Sequence, residues 1–249
     1  MLLKRLLIVF FAVCILVALA ISAHAEKSHH KKAVNVIAPV GGAIYHKLPA
    51  MGRSPGQTDW GPEAGLFYGR FTRRSHFIVF PYWADVNGSR VWGGVSHFEY
   101  YFPFKKWVEP LLGAGFDVTR IDIKNAAASD IQVFAPWFKM GARFNLPVKG
   151  LWVTPYAAYL FQNVDMGRAD QAYHSALFGI NIYYQINRRL QATFKYYYRY
   201  THDGRDGHVG RVRLIAKLHR RFGIYVRSEY AKQVFDEYIN ILAGPAFIF

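Results

Sequence analysis

Apolar and polar side chains alternate along most of this chain. The clearest stretch is 190–201, in which every second residue from Leu190 to Tyr200 is apolar or aromatic and the residues between them are mostly polar or basic. Successive side chains of a β-strand point to opposite faces, so the pattern predicts a strand with one apolar face and one polar face. A helix of the same sequence would scatter the charged side chains around its circumference.

The same alternation recurs along the chain and predicts twelve strands. They lie at roughly 33–45, 62–72, 76–86, 91–102, 107–123, 130–145, 151–164, 171–186, 190–201, 208–219, 222–233 and 238–249. The first is the weakest, since residues 33–45 also suit a plug inside a pore, and ten strands is the fallback number. Bacterial barrels made from one chain usually have an even number of strands with both termini in the periplasm, which favours twelve.

Strands of this kind are typical of a closed barrel that spans a membrane. Lipid cannot hydrogen-bond the backbone, so only helices and closed barrels cross it. Beyond residue 25 no apolar run approaches the roughly 20 residues that a helical span needs. We therefore predict an all-β fold, an antiparallel transmembrane β-barrel of about twelve strands with short periplasmic turns. Among the predicted outer connections only 46–61 is long.

The N-terminus has the pattern of a secretory signal peptide. Lys4 and Arg5 precede the uncharged segment 6–21. Ala23 and Ala25 then have the small-residue spacing that signal peptidase recognises. We expect export to the periplasm and removal of the signal.

This signal divides the chain into three parts. We expect a cleaved signal peptide at 1–25, a flexible periplasmic leader at 26–32 and a single barrel domain at 33–249. The only cysteine, Cys14, lies in the signal, which excludes disulfides and thiol chemistry from the mature protein. A net charge of +15 would suit a nucleic-acid partner, but export makes that partner unsuitable, and we expect none.

The C-terminus resembles the closing strand of bacterial outer-membrane β-barrel proteins. The residues that carry the resemblance are apolar or aromatic and end on a terminal aromatic: Tyr238, Ile239, Ile241, Phe247 and Phe249. In that class such a strand is recognised by the barrel-assembly machinery. The resemblance implies the outer membrane of a Gram-negative bacterium, with lipids and lipopolysaccharide around the barrel. It covers the architecture of the mature chain and indicates no particular family.

The polar faces of the predicted strands place charged side chains in the lumen. These candidates are His97, Glu99, Glu109, Asp117, Lys139, Arg143, Lys195, Arg199, Arg211, Arg213, Lys217, Arg227 and Glu229. Eight are bases and four are acids, and an excess of Arg and Lys in a pore favours anions. A second interpretation is structural. Arg143 could pair with Glu99 or Glu109, and Arg227 with the same carboxylates, so that the charges fill a narrow interior.

Aromatic residues make up 17% of the chain, and several are candidates for interfacial girdles or lipid contacts. They are Trp83, Trp92, Trp107, Trp137, Trp152, Tyr196, Tyr198 and Tyr200. Trp137 has the parity of the lumen and could constrict the interior instead.

Three functions fit these features. The first is a small porin or channel with a basic, anion-preferring lumen. The second is a non-conducting structural or docking barrel with a periplasmic or surface partner, and the third is a lipid-modifying enzyme of the deacylase or phospholipase type. A serine hydrolase needs a histidine in hydrogen-bond reach of its serine, whereas Ser96 and His97 are adjacent and point to opposite faces. With no nucleophile to complete a triad with His97 and Glu99, we expect no enzyme activity, no cofactor and no metal site.

Overall fold

The structure, a computed structural model, describes residues 33–48, 57–86, 89–123, 130–165, 170–204, 206–232 and 237–249. The predicted signal peptide (1–25) and leader (26–32) lie outside the described residues. Twelve strands are present, with bounds β1 (Val34–Leu48), β2 (Gln57–Phe71), β3 (Ser75–Val86), β4 (Ser89–Tyr101), β5 (Val108–Ile123), β6 (Ile131–Asn145), β7 (Leu151–Asp165), β8 (Asp170–Gln185), β9 (Leu190–Thr201), β10 (Gly207–Lys217), β11 (Phe222–Lys232) and β12 (Glu237–Ile248). None of the described residues forms a helix that is long and apolar enough to cross a membrane.

The strands close into an antiparallel barrel. Each strand pairs with its neighbours in the chain, and β1 pairs with β12. Residues 33–45 therefore form most of a strand and not a plug: Tyr45 lies opposite Ile239 of β12 on one side and Trp60 of β2 on the other. The prediction of a closed, antiparallel barrel of twelve strands is confirmed.

Both strands that close the barrel reach the same end of it, here called the terminus end. Asn35 and Phe249 exchange backbone hydrogen bonds of 2.8 and 3.0 Å there. Short turns join the strands at this end, at 72–74, 102–107, 146–150, 186–189 and 218–221. The opposite end, where β1 connects to β2 and β3 to β4, is called the loop end.

The outer connection predicted at 46–61 is shorter in the structure, so the predicted bounds are wrong. β1 continues to Leu48 and β2 begins at Gln57, and the ladder between them is unbroken through Gly61 and Pro62. Glycine and proline favour turns in an isolated segment, but pairing within a closed sheet overrides that local preference. Only 49–56 separate the two strands, and these residues lie outside the described ranges.

The outward face of the barrel carries a broad apolar band. Large side chains on it are between 42% and 58% exposed, among them Leu112, Phe138, Met140, Phe178 and Ile241. They alternate with inward-facing residues along each strand, as the pleat requires. A continuous apolar surface of this kind is unfavourable in water, so the band matches the hydrocarbon region of a bilayer.

Aromatic side chains lie on the outer face near both ends of the barrel. Trp83 and Trp92 pack with ring centres 6.1 Å apart near the loop end, and Trp107 is exposed at the terminus end. Two such belts are typical of membrane barrels. The prediction of Trp152 as a lipid contact is wrong, because its side chain lines an interior cavity. Trp137 lines the interior as well, in line with its parity.

The seam between β1 and β12 has one gap in its pairing. The paired positions skip 38–40 of β1 and 244–246 of β12. Each skipped segment contains a proline, Pro39 or Pro245, which has no N–H to donate to a ladder. The backbones still approach closely because Gly244 has no side chain: a Cβ there would collide with the carbonyl oxygen of Pro39.

Apolar side chains fill the interior behind this seam. The buried set is Val36, Ala38, Val40, Phe67, Phe80, Ile215, Tyr225, Leu242, Ala246 and Ile248. The ring centres of Phe67 and Tyr225 lie 4.8 Å apart. This packing supports the strands on both sides of the seam and reduces the open cross-section of the lumen.

Gly244→Val should weaken the seam. The new side chain would collide with the Pro39 carbonyl, and overpacking of this kind costs roughly 1–3 kcal/mol. The temperature at which the folded barrel converts to its unfolded form on SDS gels should therefore fall. Gly210→Val is the control, since a Cβ on Gly210 meets nothing within 4 Å. Equal transition temperatures for the two variants would show that close approach at the seam is unimportant.

Candidate functional site

Two cavities lie inside the barrel. The loop-side cavity has a volume of about 210 Å³ and is lined near the loop end by residues such as Ile44 and Val164. The terminus-side cavity has a volume of about 110 Å³ and is lined by residues such as Phe71 and Tyr101. The residues that line both are Phe80, Val95, His97, Lys195, Arg211 and Arg227. The two cavities therefore meet at a level where three of the shared side chains are basic.

Eleven of the thirteen predicted lumen residues line these cavities. They are His97, Glu99, Asp117, Lys139, Arg143, Lys195, Arg199, Arg211, Arg213, Arg227 and Glu229. Glu109 lines neither cavity but is buried in an ion pair with Arg143. Lys217 is the last residue of β10 and lines neither cavity.

Glu63 lines the loop-side cavity and is missing from the predicted set. It is buried, and the side-chain nitrogen of Asn240 donates a hydrogen bond of 3.3 Å to it. The predicted strand starts at 62, and parity is a poor guide so close to a strand end. With Glu63 included and Lys217 left out, the interior set holds seven bases and five acids, a smaller basic excess than predicted.

Two buried ion pairs occupy the interior beside β4, β5 and β6. Glu99 pairs with Lys139 and accepts a hydrogen bond of 2.6 Å from the Tyr101 hydroxyl. Arg143 pairs with Glu109, and its guanidinium carbon lies 4.0 Å from the centre of the Tyr101 ring. Removing one partner of such a pair leaves an uncompensated buried charge, which is strongly destabilising. These pairs match the structural interpretation of the lumen charges.

A second group of charges, called the basic cluster, lies on β9, β10 and β11. It consists of Lys195, Arg211, Arg213 and Arg227, together with Glu229. Strand pairing places Arg211 directly opposite Lys195. It also places Arg213 directly opposite Arg227. Like charges directly opposite each other destabilise a sheet, so this arrangement needs a compensating negative charge.

Glu229 supplies part of that compensation. It pairs with Arg211 and, at 2.9 Å, with Arg227. The predicted pairing of Arg227 with Glu99 or Glu109 is therefore wrong. Those two carboxylates belong to β4 and β5, whereas Glu229 is two residues from Arg227 on the same face of β11.

Other nitrogen atoms of the basic cluster have no carboxylate partner. Within the described ranges no carboxylate lies within 4.0 Å of the Lys195 amine, which is 5.1 Å from the centre of the Tyr197 ring. Arg213 donates to the Thr193 hydroxyl at 3.2 Å. The Nε of Arg227 is buried and has no hydrogen-bond partner among the described residues. Buried positive charge of this kind is costly, and an anion would offset it.

The wall of the loop-side cavity is mostly apolar. Its aliphatic lining residues are Ile44, Ala84, Val91, Val95, Ile121, Ile131, Val133, Ala135, Ala158, Leu160, Val164 and Leu177. The lumen of a water-filled barrel is usually polar, and strand parity predicts a polar lumen here as well. The cavity departs from that prediction because several inward positions near the loop end are aliphatic.

The predicted assembly-signal residues divide between the two faces of β12. Ile239, Ile241 and Phe247 are exposed on the outer face, and the terminal Phe249 is exposed at the terminus end. Tyr238 instead lines the loop-side cavity and donates a hydrogen bond of 2.6 Å to Glu229.

The chain is similar to known proteins in fold alone. No protein-family model and no curated protein matches it. Among solved structures it is similar to the translocator domain of the autotransporter NalP from Neisseria meningitidis, with 12% identity, 96% of each chain covered and a TM-score of 0.53. Two more are the beta domain of the Bordetella autotransporter Brka (17% identity, 87% of this chain and 99% of that chain, TM-score 0.47) and the KdgM porin (11%, 86% and 98%, 0.45). The chain has the closed, antiparallel β-barrel fold of bacterial outer-membrane proteins.

Proposed function

We propose that the protein is a small outer-membrane channel whose lumen selects anions at the basic cluster. Placement in the outer membrane is supported by the barrel fold, by the apolar outer band and by the outward-facing Ile239, Ile241 and Phe247 of the closing strand. A cleaved signal peptide at 1–25 would deliver the chain to the periplasm, where the barrel-assembly machinery would insert it.

The basic cluster lies at the junction of the two cavities, and this position is the main support for an anion channel. A solute that moves between the cavities passes Lys195, Arg211 and Arg227. Rings of basic side chains favour anions, and conduction also requires that an ion leaves as easily as it binds. Lys195 attracts an anion, because no described carboxylate lies within 4.0 Å of its amine to offset the charge. Glu229 pairs with Arg211 and so limits the attraction that the cluster as a whole exerts on the anion.

The lumen is narrow, so the proposed solutes are small. Two buried ion pairs and the apolar packing behind the β1–β12 seam occupy part of the interior. The cavities that remain have volumes of about 210 and 110 Å³. We therefore propose a low conductance that admits single small anions.

We further propose passage and not catalysis. His97 lies 3.9 Å from Glu99, which resembles a base with its orienting carboxylate. Hydrolysis would also require a hydroxyl in hydrogen-bond reach of that histidine. Among the described residues no serine or threonine hydroxyl hydrogen-bonds His97, which supports a role in binding.

Folded protein in a planar bilayer should give a small, anion-selective current. Selectivity is measured from the reversal potential in a gradient of potassium chloride. Lys195→Met should lower the preference for chloride over potassium by roughly fivefold, because one charge about 4 Å from an ion contributes about 1 kcal/mol where the lumen is filled with water.

Lys217→Met is the matched control, since it removes one positive charge from the neighbouring strand outside both cavities. Its selectivity should equal that of the wild type. A folded, heat-modifiable barrel that carries no current would contradict the channel and favour a structural or docking barrel with a periplasmic or surface partner.

Anions that bind the basic cluster should also stabilise the folded barrel, because a ligand that binds only the folded state raises its stability. At constant ionic strength, exchanging chloride for the more weakly hydrated monoanion bromide should raise the unfolding temperature of the wild type and Lys217→Met relative to that of Lys195→Met. General effects of bromide on proteins are the same in all three. An equal shift in all three would argue against a specific anion site.

A further inference from the structure

The loop-side cavity has two chemically different parts. Towards the loop end its wall is formed by aliphatic side chains from β1 and from β3 to β8. Val91, Ile131 and Val164 of this wall are less than a tenth exposed and belong to one buried apolar cluster. Ala135, Leu160 and Leu177 form a second cluster closer to the middle of the barrel. Such a surface favours an apolar group and solvates an inorganic ion poorly.

The deep part of the same cavity is basic. Lys195, Arg211 and Arg227 of the basic cluster line it. Arg199 lines the same cavity closer to the loop end, two residues from the end of β9, and donates hydrogen bonds of 2.9 Å to the Ser175 hydroxyl and 2.6 Å to the Gln162 side-chain oxygen. These two acceptors hold the Arg199 guanidinium at the cavity wall.

The charge balance of the cavity selects a ligand with one negative charge. Five bases line it: Lys139, Lys195, Arg199, Arg211 and Arg227. Three acids line it as well, Glu63, Asp117 and Glu229, and a fourth, Glu99, pairs with Lys139. With all nine groups ionised the formal sum is +1; Arg213 of the basic cluster lines only the terminus-side cavity and is not counted. A single carboxylate balances this charge, whereas a dianion would meet repulsion from Glu63 and Asp117.

From these two parts we infer that the loop-side cavity binds an amphipathic monocarboxylate, with its carboxylate at the basic cluster and its aliphatic chain along the apolar wall. A neutral hydrocarbon would leave the positive charge without compensation, and a small inorganic anion would leave the aliphatic wall in contact with water. The inference rests on the anion site of the proposed function and assigns its substrate class.

Equilibrium dialysis of labelled octanoate tests the inference. The protein is held in nanodiscs of phosphatidylcholine, and empty nanodiscs measure uptake by the bilayer itself. Octanoate should bind saturably, at about one molecule per barrel. Acetate, which lacks the chain, and octanol, which lacks the charge, should each compete at least tenfold less well, because both ends of the ligand contribute.

Substitutions in each part of the cavity separate the two contributions. Lys195→Met should weaken octanoate binding about tenfold and leave octanol unaffected. Leu160→Gln should weaken octanoate several-fold by making the wall polar, and Val133→Thr, which keeps the shape of the side chain, should act in the same direction if Leu160→Gln fails to fold. Lys217→Met, outside both cavities, should bind octanoate as the wild type does.

Octanol or acetate binding as tightly as octanoate would overturn the inference, and so would the absence of saturable octanoate binding. The planar-bilayer current shows whether a negative octanoate result overturns only the ligand or also the proposed channel. An anion-selective current without octanoate binding would remove the amphipathic ligand and leave the channel. Octanoate binding by a barrel without current would support the site and remove the channel.

Discussion

Backbone pairing between β1 and β12 is the interaction on which the rest of the structure depends. In a bilayer an unpaired strand edge would leave N–H and C=O groups without partners, at a cost of several kcal/mol for each group. Pairing from Asn35 and Phe249 at one end to Tyr45 and Ile239 towards the other removes that edge. The prolines of the seam leave a short gap, and the buried apolar side chains behind it seal the interior.

Closure also decides where every charge lies. Once the twelve ladders are in register, alternate residues of each strand face the interior, where charged groups are far from bulk water. Ion pairs compensate several of these buried charges. Glu99 of β4 pairs with Lys139 of β6, and Arg143 of β6 pairs with Glu109 of the neighbouring β5. The basic cluster is different, because its cations lie opposite one another in pairs, Lys195 with Arg211 and Arg213 with Arg227, and Glu229 pairs only with Arg211 and Arg227. That imbalance, placed where two cavities meet, is the physical basis of the proposed function.

The sequence predicts the strands well because their period of two is unmistakable in segments such as 190–201, and an even strand number recovers the weak strand at 33–45. Parity likewise assigns Lys195 and Arg211 to one face. It could not show that Arg227 pairs with Glu229, because pairing depends on distances between side chains and on register between strands. Glu63 was missed at the edge of a predicted strand.

The shape of the interior could not be predicted from the sequence, because it too depends on distances between side chains and on the register between strands. The aliphatic wall of the loop-side cavity combines residues from seven strands, with three each from β6 and β7, and their meeting in one wall depends on the register between the strands. Trp152 could not be placed from the sequence either. An aromatic residue in a membrane barrel is typical of an interfacial girdle, but the side chain of Trp152 lines an interior cavity.

An anion channel of this kind requires the basic cluster to accommodate an anion inside the lumen. Anomalous diffraction from crystals of the barrel soaked in bromide would locate such an anion. We expect a bromide peak within contact distance of the Lys195 amine, between it and the guanidinium groups of the neighbouring strands. An ordered lumen without that peak, in which the Lys195 amine bonds the Asp117 carboxylate instead, would contradict the proposed anion channel.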